Sequence, residues 1–269
     1  MNNKVALITG SSRGIGRSIA ISLAKKGCNI IINYITNLES ANSLNDELKK
    51  YNIETMIIKC DMSNEEEIKN MVEKSLEKFG KIDYLVNNAA FCLDTIYQDK
   101  TKDNFIKTLD VNLVGPFLLS RLVADVMYSN KFGKIVNISS TNGIDTYYEE
   151  SLDYDASKAG LISLTHNLSK HYAPYINVNC VCPGWVDTDM NKNLDDEFIK
   201  DECKKIYINR FAFPDEITAV VTFLLSDEAS YVNNSIIRVD GGYDHEWWKF
   251  YKKLWKRFKK YLWTNWWYM

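Results

Sequence analysis

Short apolar runs alternate with longer helical patterns along most of the chain. Seven runs rich in β-branched residues predict buried strands, at residues 5–9, 29–33, 55–59, 84–86, 134–139, 177–181 and 236–239. Six longer stretches have the apolar spacing of helices, roughly 15–28, 39–51, 64–79, 103–130, 155–172 and 214–226. Strands that alternate with helices indicate right-handed βαβ units. We therefore predict an α/β fold with one doubly wound sheet of seven parallel strands and helices on both faces.

The charge of the chain divides it into a body and a tail. The 269 residues carry a net charge of −2, yet residues 1–245 carry 26 basic and 34 acidic side chains. Residues 246–269 carry seven basic side chains, one acidic side chain and six of the seven tryptophans. We predict a globular domain over 1–245 and a basic, aromatic C-terminal extension over 246–269. For this acidic body we expect no nucleic-acid partner.

The cysteines favour a reducing compartment. Cys28, Cys60, Cys92, Cys180, Cys182 and Cys203 are scattered, without a CxxC pair. Cys180-Val-Cys182 has no nearby histidine or second pair, so we expect no metal site. Buried, reduced thiols in a cytoplasmic protein are the simpler interpretation. The first apolar run is short and ends in a glycine-rich turn, so we expect no signal peptide, and no uninterrupted apolar stretch reaches membrane-spanning length.

A glycine-rich turn follows the first predicted strand. It reads Thr9-Gly10-Ser11-Ser12-Arg13-Gly14-Ile15-Gly16 and opens a helix. Glycines permit a tight turn and close backbone approach, while the N–H groups of the helix face a pyrophosphate. In an open parallel sheet, ligands bind beyond the carboxyl ends of the strands. The turn therefore predicts a dinucleotide site, with cofactor contacts from Gly10, Ser12, Arg13, Gly14, Ile15 and Gly16.

The end of the second strand bears on which dinucleotide fits. An acidic residue there would bond the ribose hydroxyls and repel a 2′-phosphate, but the strand ends in Asn33 and Tyr34. Arg13 supplies a cation without a competing carboxylate, which favours a charge-assisted phosphate contact. We predict NADP rather than NAD, with Asn33 and Tyr34 also at the cofactor; a solvated surface charge is the alternative for Arg13.

Tyr154 and Lys158 are four residues apart and share one face of a predicted helix. A neighbouring cation stabilises a phenolate, so Lys158 suits Tyr154 for acid-base chemistry. Ser139-Ser140 ends a strand at the carboxyl edge of the sheet, where a hydroxyl could hold a substrate carbonyl. A solvated helix face is the usual meaning of such a Tyr–Lys pair. The glycine turn and the strand-end serines favour a catalytic site.

These motifs occur in the order found in the short-chain dehydrogenase/reductase family, which the chain resembles over roughly residues 4–244. The order is the glycine turn, Asp61, Asn87-Asn88-Ala89-Ala90, Asn112, Ser140, Tyr154, Lys158, Pro183-Gly184-Trp185-Val186-Asp187-Thr188 and Val239-Asp240-Gly241-Gly242. The resemblance implies a Rossmann-type fold and hydride transfer between a nicotinamide and a carbonyl or secondary alcohol.

The resemblance also implies residue roles. Tyr154 is the general acid/base, Lys158 lowers its pKa and holds the nicotinamide ribose, and Ser140 rather than Ser139 orients the carbonyl. Asn112 anchors a water that relays protons toward Lys158. The cofactor contacts implied beyond the turn come from Asp61, Met62, Asn88, Ala89, Tyr154, Lys158, Pro183, Gly184, Val186 and Thr188.

Three segments of the sequence, at residues 209–211, 214–217 and 225–230, resemble those of 3-oxoacyl-[acyl-carrier-protein] reductases of fatty acid biosynthesis. An acidic carrier protein would need a basic docking surface, which Lys131, Lys134, Lys170 and His171 could supply. The opposing observation is a group of acids expected around Tyr154, namely Glu149, Glu150, Asp153 and Asp155. A reductase of a small polar ketone or sugar is the alternative. A non-catalytic NADP-binding sensor or scaffold is another, against which the Ser140/Tyr154/Lys158 set argues.

The sequence also bears on how the subunits assemble and where the protein is located. The resemblance implies that the helices near 103–130 and 155–172 form a four-helix interface and that the terminal strand region forms a second one, giving a homotetramer. In the tail, aromatic and basic residues recur at helical spacing, which is the pattern of an amphipathic helix on a membrane surface. We therefore expect a cytoplasmic enzyme with peripheral membrane contact. Packing of the tail on the body or on a neighbouring subunit, or a poorly ordered extension, are the alternatives.

Overall fold

A computed structural model describes residues 1–192 and 194–243, and a parallel sheet forms its centre. The strands are β1 Val5–Ile8, β2 Asn29–Tyr34, β3 Thr55–Lys59, β4 Tyr84–Asn87, β5 Gly133–Ile138, β6 Ile176–Pro183 and β7 Ile236–Val239. Their order is β3-β2-β1-β4-β5-β6-β7. All six strand pairs are parallel. This confirms the Rossmann-type doubly wound sheet, and it places the switch in strand order between β1 and β4, where ligands bind in such sheets.

Eight helices accompany the sheet within the described residues. They are α1 Gly14–Lys25, α2 Leu38–Leu48, α3 Glu65–Phe79, α4 Lys102–Leu109, α5 Gly115–Ser129, α6 Leu152–His171, α7 Asp196–Lys205 and α8 Pro214–Leu225. The apolar sides of α1, α2 and α8 form one core with the sheet, and those of α3, α5 and α6 form the other. The strands are buried because both faces are covered, which explains their nearly continuous apolar runs.

Two helical regions differ from the expectation. The predicted helix over 103–130 is divided, because a π-helical turn, Asp110–Val114, separates α4 from α5. Such turns are rare and often mark functional sites. Helix α7 was not predicted at all. Its sequence is dominated by charged residues, so it has little of the apolar periodicity by which a core helix is recognised.

The α4–α5 region passes a simple test for a membrane span. Among the described residues, Lys102–Ser129 is the one helical stretch long and apolar enough to cross a bilayer. Its Leu119, Val123 and Met127 are fully buried against the sheet, however, as in the core helix of a globular domain. The extension over 246–269 lies outside the described residues. Its helical pattern and its membrane contact therefore stay predictions.

Candidate active site

Buried hydrogen bonds hold the glycine-rich turn in place. Gly10 and Gly14 have φ angles of +61° and +54°, a conformation that favours glycine. The Asn33 side chain accepts from the Gly10 N–H at 2.9 Å and donates to the Cys60 carbonyl at 3.1 Å. The Asn88 amide donates to the Thr9 carbonyl at 2.8 Å. In this structure Asn33 and Asn88 support the turn, and their contacts with a cofactor stay predictions.

The N-terminus of α1 is open for an anion. Helices α2, α3, α4 and α7 each begin with a side chain that accepts from their first N–H groups, but α1 has no such cap. The first turn of α1 also contains no acidic residue. Uncapped N–H groups and the positive end of the helix dipole attract phosphate. The turn therefore fits the pyrophosphate of a dinucleotide.

Beside the turn is a cavity that could take the adenosine end. Its volume is about 390 Å³, and its lining includes Ser12, Arg13, Gly14 and Ser40. Arg17, also in the lining, is paired with Glu47 at 2.9 Å. No carboxylate pairs with Arg13 in the part of the chain that the structure describes. A cation available at this position fits a 2′-phosphate.

The other predicted cofactor residues lie on strand ends and the loops after them. Met62 is buried after β3, and the Ala89 N–H donates to the Thr9 hydroxyl at 2.9 Å. Asp61 accepts from the N–H and hydroxyl of Ser63. Pro183 ends β6, and a Cβ on Gly14 would lie 3.6 Å from the Thr188 methyl group, so the loop after β6 reaches the glycine turn. The remaining predicted residues in these segments are Tyr34, Gly184 and Val186, while Ile15 and Gly16 lie in the first turn of α1.

Helix α6 and the end of β5 bring the predicted catalytic residues together. Lys158 is 2% exposed; its ammonium donates to the Ile138 carbonyl at 2.9 Å and lies 5.3 Å from the centre of the Tyr154 ring. The Ser140 hydroxyl lies near enough to the Tyr154 phenol to lower the pKa of the phenol. Ser139 points elsewhere, since its hydroxyl donates to the Lys158 carbonyl at 2.8 Å inside the core. The geometry thus separates Ser140, at the site, from Ser139, inside the fold.

Burial shifts the pKa values of both titrating groups. Loss of solvent lowers the pKa of Lys158 to about 8. Burial raises the pKa of Tyr154 above its ordinary value, so the expected lowering by Lys158 is not seen, and the neighbouring Ser140 hydroxyl only partly offsets the effect of burial. At neutral pH the phenol is protonated and able to donate a proton. Lys158 remains mostly charged at the same pH because its pKa is still above 7.

Asn112 lies in the π-helical turn and is fully buried. Its side chain accepts from the Phe91 N–H and donates to the Phe91 carbonyl, both at 2.8 Å. A further bond reaches the Ser157 hydroxyl at 3.0 Å. Asn112 therefore joins α6 to the loop that follows β4. The predicted water relay is a separate matter and stays a prediction.

Sequence reasoning missed a support behind Ser140. The Ser140 hydroxyl donates to Asn142 Oδ1 at 3.0 Å, and Asn142 Nδ2 donates to Asp155 at 2.7 Å. The carboxylate only accepts, so it fixes the orientation of the Asn142 amide. Asp155 also accepts from the Ser151 hydroxyl at 3.1 Å. One indication of this role was present in the sequence, since Asp155 is next to Tyr154. A carboxylate in a helix usually faces solvent, however, so the position alone did not predict the contact.

The prediction that four acidic residues surround the opening at Tyr154 is correct for only two of them. Asp153 is fully buried, forms an ion pair with Lys100 at 2.9 Å and accepts from the Thr108 hydroxyl at 2.7 Å. Asp155 is also buried and supports Asn142. Glu149 and Glu150 alone of the four are exposed. The prediction was wrong for the two aspartates because their partners come from distant segments of the chain.

The expected basic docking surface loses one of its four cations, and the other three lie far from the catalytic residues. Lys134 is 4% exposed, and its ammonium donates to the Ser226 carbonyl. Lys131 precedes β5, at the amino edge of the sheet, whereas Ser140 follows β5 at the carboxyl edge. Lys170 and His171 end α6, and a helix rises about 1.5 Å per residue, which places Lys170 roughly 24 Å from Tyr154 along the axis. These cations are too far from the site to receive a carrier protein at its mouth.

A second missed group surrounds Glu202 of α7, which is 2% exposed. Its carboxylate accepts from the Tyr148 hydroxyl and the Trp185 indole N–H, both at 3.0 Å, and from the Tyr243 hydroxyl at 2.6 Å. Burial alone would raise the Glu202 pKa, but these bonds and one from Lys205 hold it below the ordinary value. One carboxylate thus joins α7 to the loops that follow β5, β6 and β7.

Trp185 also makes ring contacts that extend this wall. It stacks on Phe211 at 5.4 Å between ring centres and meets Phe198 edge-on at 5.5 Å. Tyr148 contacts it from the other side at 5.8 Å. The wall beside the loop after β5 is therefore aromatic and braced by a buried acid.

Comparison with known proteins places the chain in a family. Residues 10–244 match a family described as enoyl-(acyl carrier protein) reductase. The chain is 35% identical over 241 residues to 3-oxoacyl-[acyl-carrier-protein] reductase FabG of Staphylococcus epidermidis, covering 89% of this chain and 98% of the relative. It is 37% identical over 244 residues to the same-named enzyme of Aquifex aeolicus, covering 90% and 98%.

Solved structures agree. The chain superposes on levodione reductase with a TM-score of 0.83 and 32% identity, covering 90% of this chain and 97% of that one. For acetoin dehydrogenase YohF from Salmonella typhimurium the TM-score is 0.82 and the identity 30%, covering 90% and 96%. With the serine, tyrosine and lysine gathered at the carboxyl edge of the sheet, these matches show that the chain is an oxidoreductase of the short-chain dehydrogenase/reductase family.

Proposed function

We propose that the protein reduces a carbonyl group with NADPH and uses Tyr154 as the general acid. The observation that carries this proposal is the convergence of Ser140, Tyr154 and Lys158 at the same carboxyl edge of the sheet as the open N-terminus of α1. A non-catalytic sensor or scaffold would need the dinucleotide site, but it would have no use for a buried lysine beside a partly exposed phenol.

The residues divide the chemistry between them. When bound, the nicotinamide supplies the hydride. Tyr154 donates its proton to the carbonyl oxygen as that oxygen gains charge, and the Lys158 ammonium stabilises the phenolate left behind. The Asn142 N–H holds Ser140 Oγ at 3.2 Å, and the serine O–H would turn from Asn142 Oδ1 to the carbonyl oxygen to orient it toward the phenol. The proton returns to Tyr154 from solvent, for which Asn112 is the proposed water anchor.

The cofactor assignment rests on two features of the glycine turn. The uncapped N-terminus of α1 would hold the pyrophosphate, with Gly10, Ser12 and Gly14 allowing its close approach. Arg13 would pair with the 2′-phosphate of NADPH, since no acidic residue ends β2 and the two carboxylates that line the same cavity, Glu39 and Asp189, form no ion pair with Arg13. NAD is the less favoured cofactor for the same reasons.

For the substrate we propose a 3-oxoacyl thioester carried by an acyl carrier protein. The sequence relatives support this choice. The two named above are 3-oxoacyl-[acyl-carrier-protein] reductases, and the chain matches each of them over nearly its whole length. The acidic mouth, which had opposed it, is reduced to Glu149 and Glu150.

A small ketone is the second candidate. The aromatic wall at Trp185 would suit a compact substrate, and the two structural neighbours are named for levodione and acetoin. Assay of NADPH oxidation with an acetoacetyl thioester and with acetoin or a cyclic diketone decides between them. Turnover of the thioester at the higher kcat/KM supports the proposal, whereas reduction of the small ketone alone rejects it.

Assembly and location are part of the proposal. Ile106, Val114 and Phe117 on the α4–α5 segment are 45%, 40% and 41% exposed, which supports one of the two interfaces that the proposed homotetramer needs. The six cysteines are free thiols, as expected for a protein of the cytoplasm. Light scattering of the purified chain tests the tetramer.

A further inference from the structure

The buried carboxylate of Glu202 has three aromatic partners, and each comes from a different loop. Its Oε2 accepts from the hydroxyls of Tyr148 at 3.0 Å and Tyr243 at 2.6 Å, and from the indole N–H of Trp185 at 3.0 Å. These partners follow β5, β7 and β6, respectively, at the carboxyl edge of the sheet. We call the four residues the Glu202 clamp. A buried carboxylate needs donors arranged around it, so the clamp fixes where each aromatic side chain lies.

Helix α7 depends on this clamp for its place in the fold. A helix on a globular domain usually packs through an apolar stripe. In α7, however, Glu202 is the one buried residue. The half-buried Phe198 adds an edge-on contact with the Trp185 ring at 5.5 Å between ring centres. The position of α7 therefore follows from Glu202 and Phe198, and both of them contact Trp185.

Trp185 lies on the side of the catalytic residues that faces away from the glycine turn. The turn follows β1, Ser140 follows β5, and Trp185 follows β6, which is the next strand outward in the sheet. Tyr148 connects Trp185 to the catalytic helix, because its ring contacts Trp185 at 5.8 Å and its N–H donates to Asp155, the neighbour of Tyr154, at 3.3 Å. A dinucleotide held at β1 approaches Ser140 from one side. The substrate is then left with the side of β6 and α7.

We propose that Trp185 limits the length of the substrate that the site accepts, and that Glu202 is the positioning residue that holds Trp185 in place. The inference rests on the proposed reduction of a 3-oxoacyl thioester. Trp185 stacks on Phe211 at 5.4 Å and has Phe198 and Tyr148 on its other sides. The indole therefore turns aside only by losing three ring contacts and the bond from its N–H. A wall held in this way favours a short acyl chain, because a longer one would have to displace the indole.

The test compares acetoacetyl and 3-oxooctanoyl thioesters as substrates of the full chain with NADPH. We expect the unchanged enzyme to have the higher kcat/KM with the acetoacetyl thioester. Glu202→Gln keeps the size of the side chain and removes its charge. We expect it to raise the KM for the acetoacetyl thioester about three- to ten-fold, to leave kcat within about two-fold, and to reduce the preference for the shorter chain about ten-fold.

Two further variants make the test specific to the clamp. Trp185→Phe keeps an aromatic ring and removes the indole N–H, so it should reduce the preference in the same direction even if Glu202→Gln does not fold. The control is Asp201→Asn. Asp201 is the neighbour of Glu202 on α7, but its side chain is 59% exposed and pairs with Lys204. We expect this variant to keep the KM and the preference of the unchanged enzyme.

Three results would overturn the proposal. In one, the unchanged enzyme prefers the 3-oxooctanoyl thioester. In another, Glu202→Gln and Trp185→Phe weaken both thioesters and NADPH by the same factor, which assigns the clamp to stability alone. In the third, Asp201→Asn shifts the preference as much as Glu202→Gln does. Failure of the proposed function is detected separately, because neither thioester is then reduced while acetoin is, and the preference is measured with acetoin and a longer homologue instead.

Discussion

The two edges of the sheet differ in how their polar groups are satisfied. At the amino edge, Asp83 pairs with Lys4 and Lys81, and Lys134 is buried on a backbone carbonyl. At the carboxyl edge, α1 begins without a cap, and Lys158 is buried beside a phenol with one backbone carbonyl for a partner. Polar groups that the fold has already paired stabilise it. Polar groups left available are those that can bind and react, and the two named here, the N–H groups at the start of α1 and the Lys158 ammonium, both lie at the carboxyl edge.

The largest effect is expected at Lys158. Lys158→Met removes the charge beside Tyr154, and we expect kcat to fall about 100- to 1,000-fold, as for other losses of a preorganised charge. In the unchanged enzyme, kcat/KM for NADPH should decline above about pH 8, because the ammonium loses its proton there while the phenol, whose pKa is raised, keeps its own. A profile flat from pH 7 to 10 would show that Lys158 does not titrate in this range.

Neighbouring serines give a sharper form of the same contrast. Ser140→Ala should lower kcat about 100-fold, because the carbonyl loses its orienting hydroxyl. Ser139→Ala should leave kcat within a few-fold and instead lower the free energy of unfolding by about 1 kcal/mol, through the lost bond to the Lys158 carbonyl. Steady-state kinetics and urea unfolding measure the pair. Equal losses of kcat would mean that the two hydroxyls are not separated as the structure places them.

The glycine turn offers a matched pair of arginines. Arg13→Ala should reduce the preference for NADPH over NADH about 10- to 100-fold, the value of a hydrogen-bonded charge. Arg17→Ala should change the preference little, because Arg17 is already bonded to Glu47 and to the Ser40 carbonyl. The ratio of kcat/KM for the two cofactors is the readout. If Arg17→Ala rather than Arg13→Ala changed this ratio, the 2′-phosphate would be bound by Arg17 and not by Arg13.

The smallest effect is expected at the amino edge. Lys131→Glu and Lys170→Glu reverse two exposed charges there, and we expect KM for a carrier-bound substrate to change by less than two-fold. The same reversals would raise KM strongly if a carrier protein docked at that edge. Comparison with a free acetoacetyl thioester separates docking from chemistry.

The fold was predictable from the sequence because its elements are locally encoded. Strand and helix patterns follow the layers that cover the sheet, and all seven strands were found to within two residues at either end. Helix α7 was missed since its contacts centre on one residue, Glu202, rather than on an apolar stripe. The π-helical turn was missed because its backbone shift has no separate pattern in the sequence.

The site was predictable where spacing encodes it. Tyr154 and Lys158 share a helix face, and Ser140 ends a strand, so the topology alone brings them together. Spacing says nothing of which charges are buried, because burial depends on segments distant in the sequence. Lys134, Asp153 and Asp155 were misjudged for that reason: Ser226, Lys100 and Asn142 are 92, 53 and 13 residues away along the chain.

Tyr154→Phe tests the central claim most directly, since it removes one hydroxyl and leaves the ring. Turnover of the preferred carbonyl substrate and NADPH binding, followed by the fluorescence of the nicotinamide, are measured on the same preparation. We expect kcat to fall by about 1,000-fold or more, within the range of general acid catalysis, while the Kd for NADPH changes less than three-fold. Turnover within ten-fold of the unchanged enzyme would contradict the account, because the proton would then come from another group.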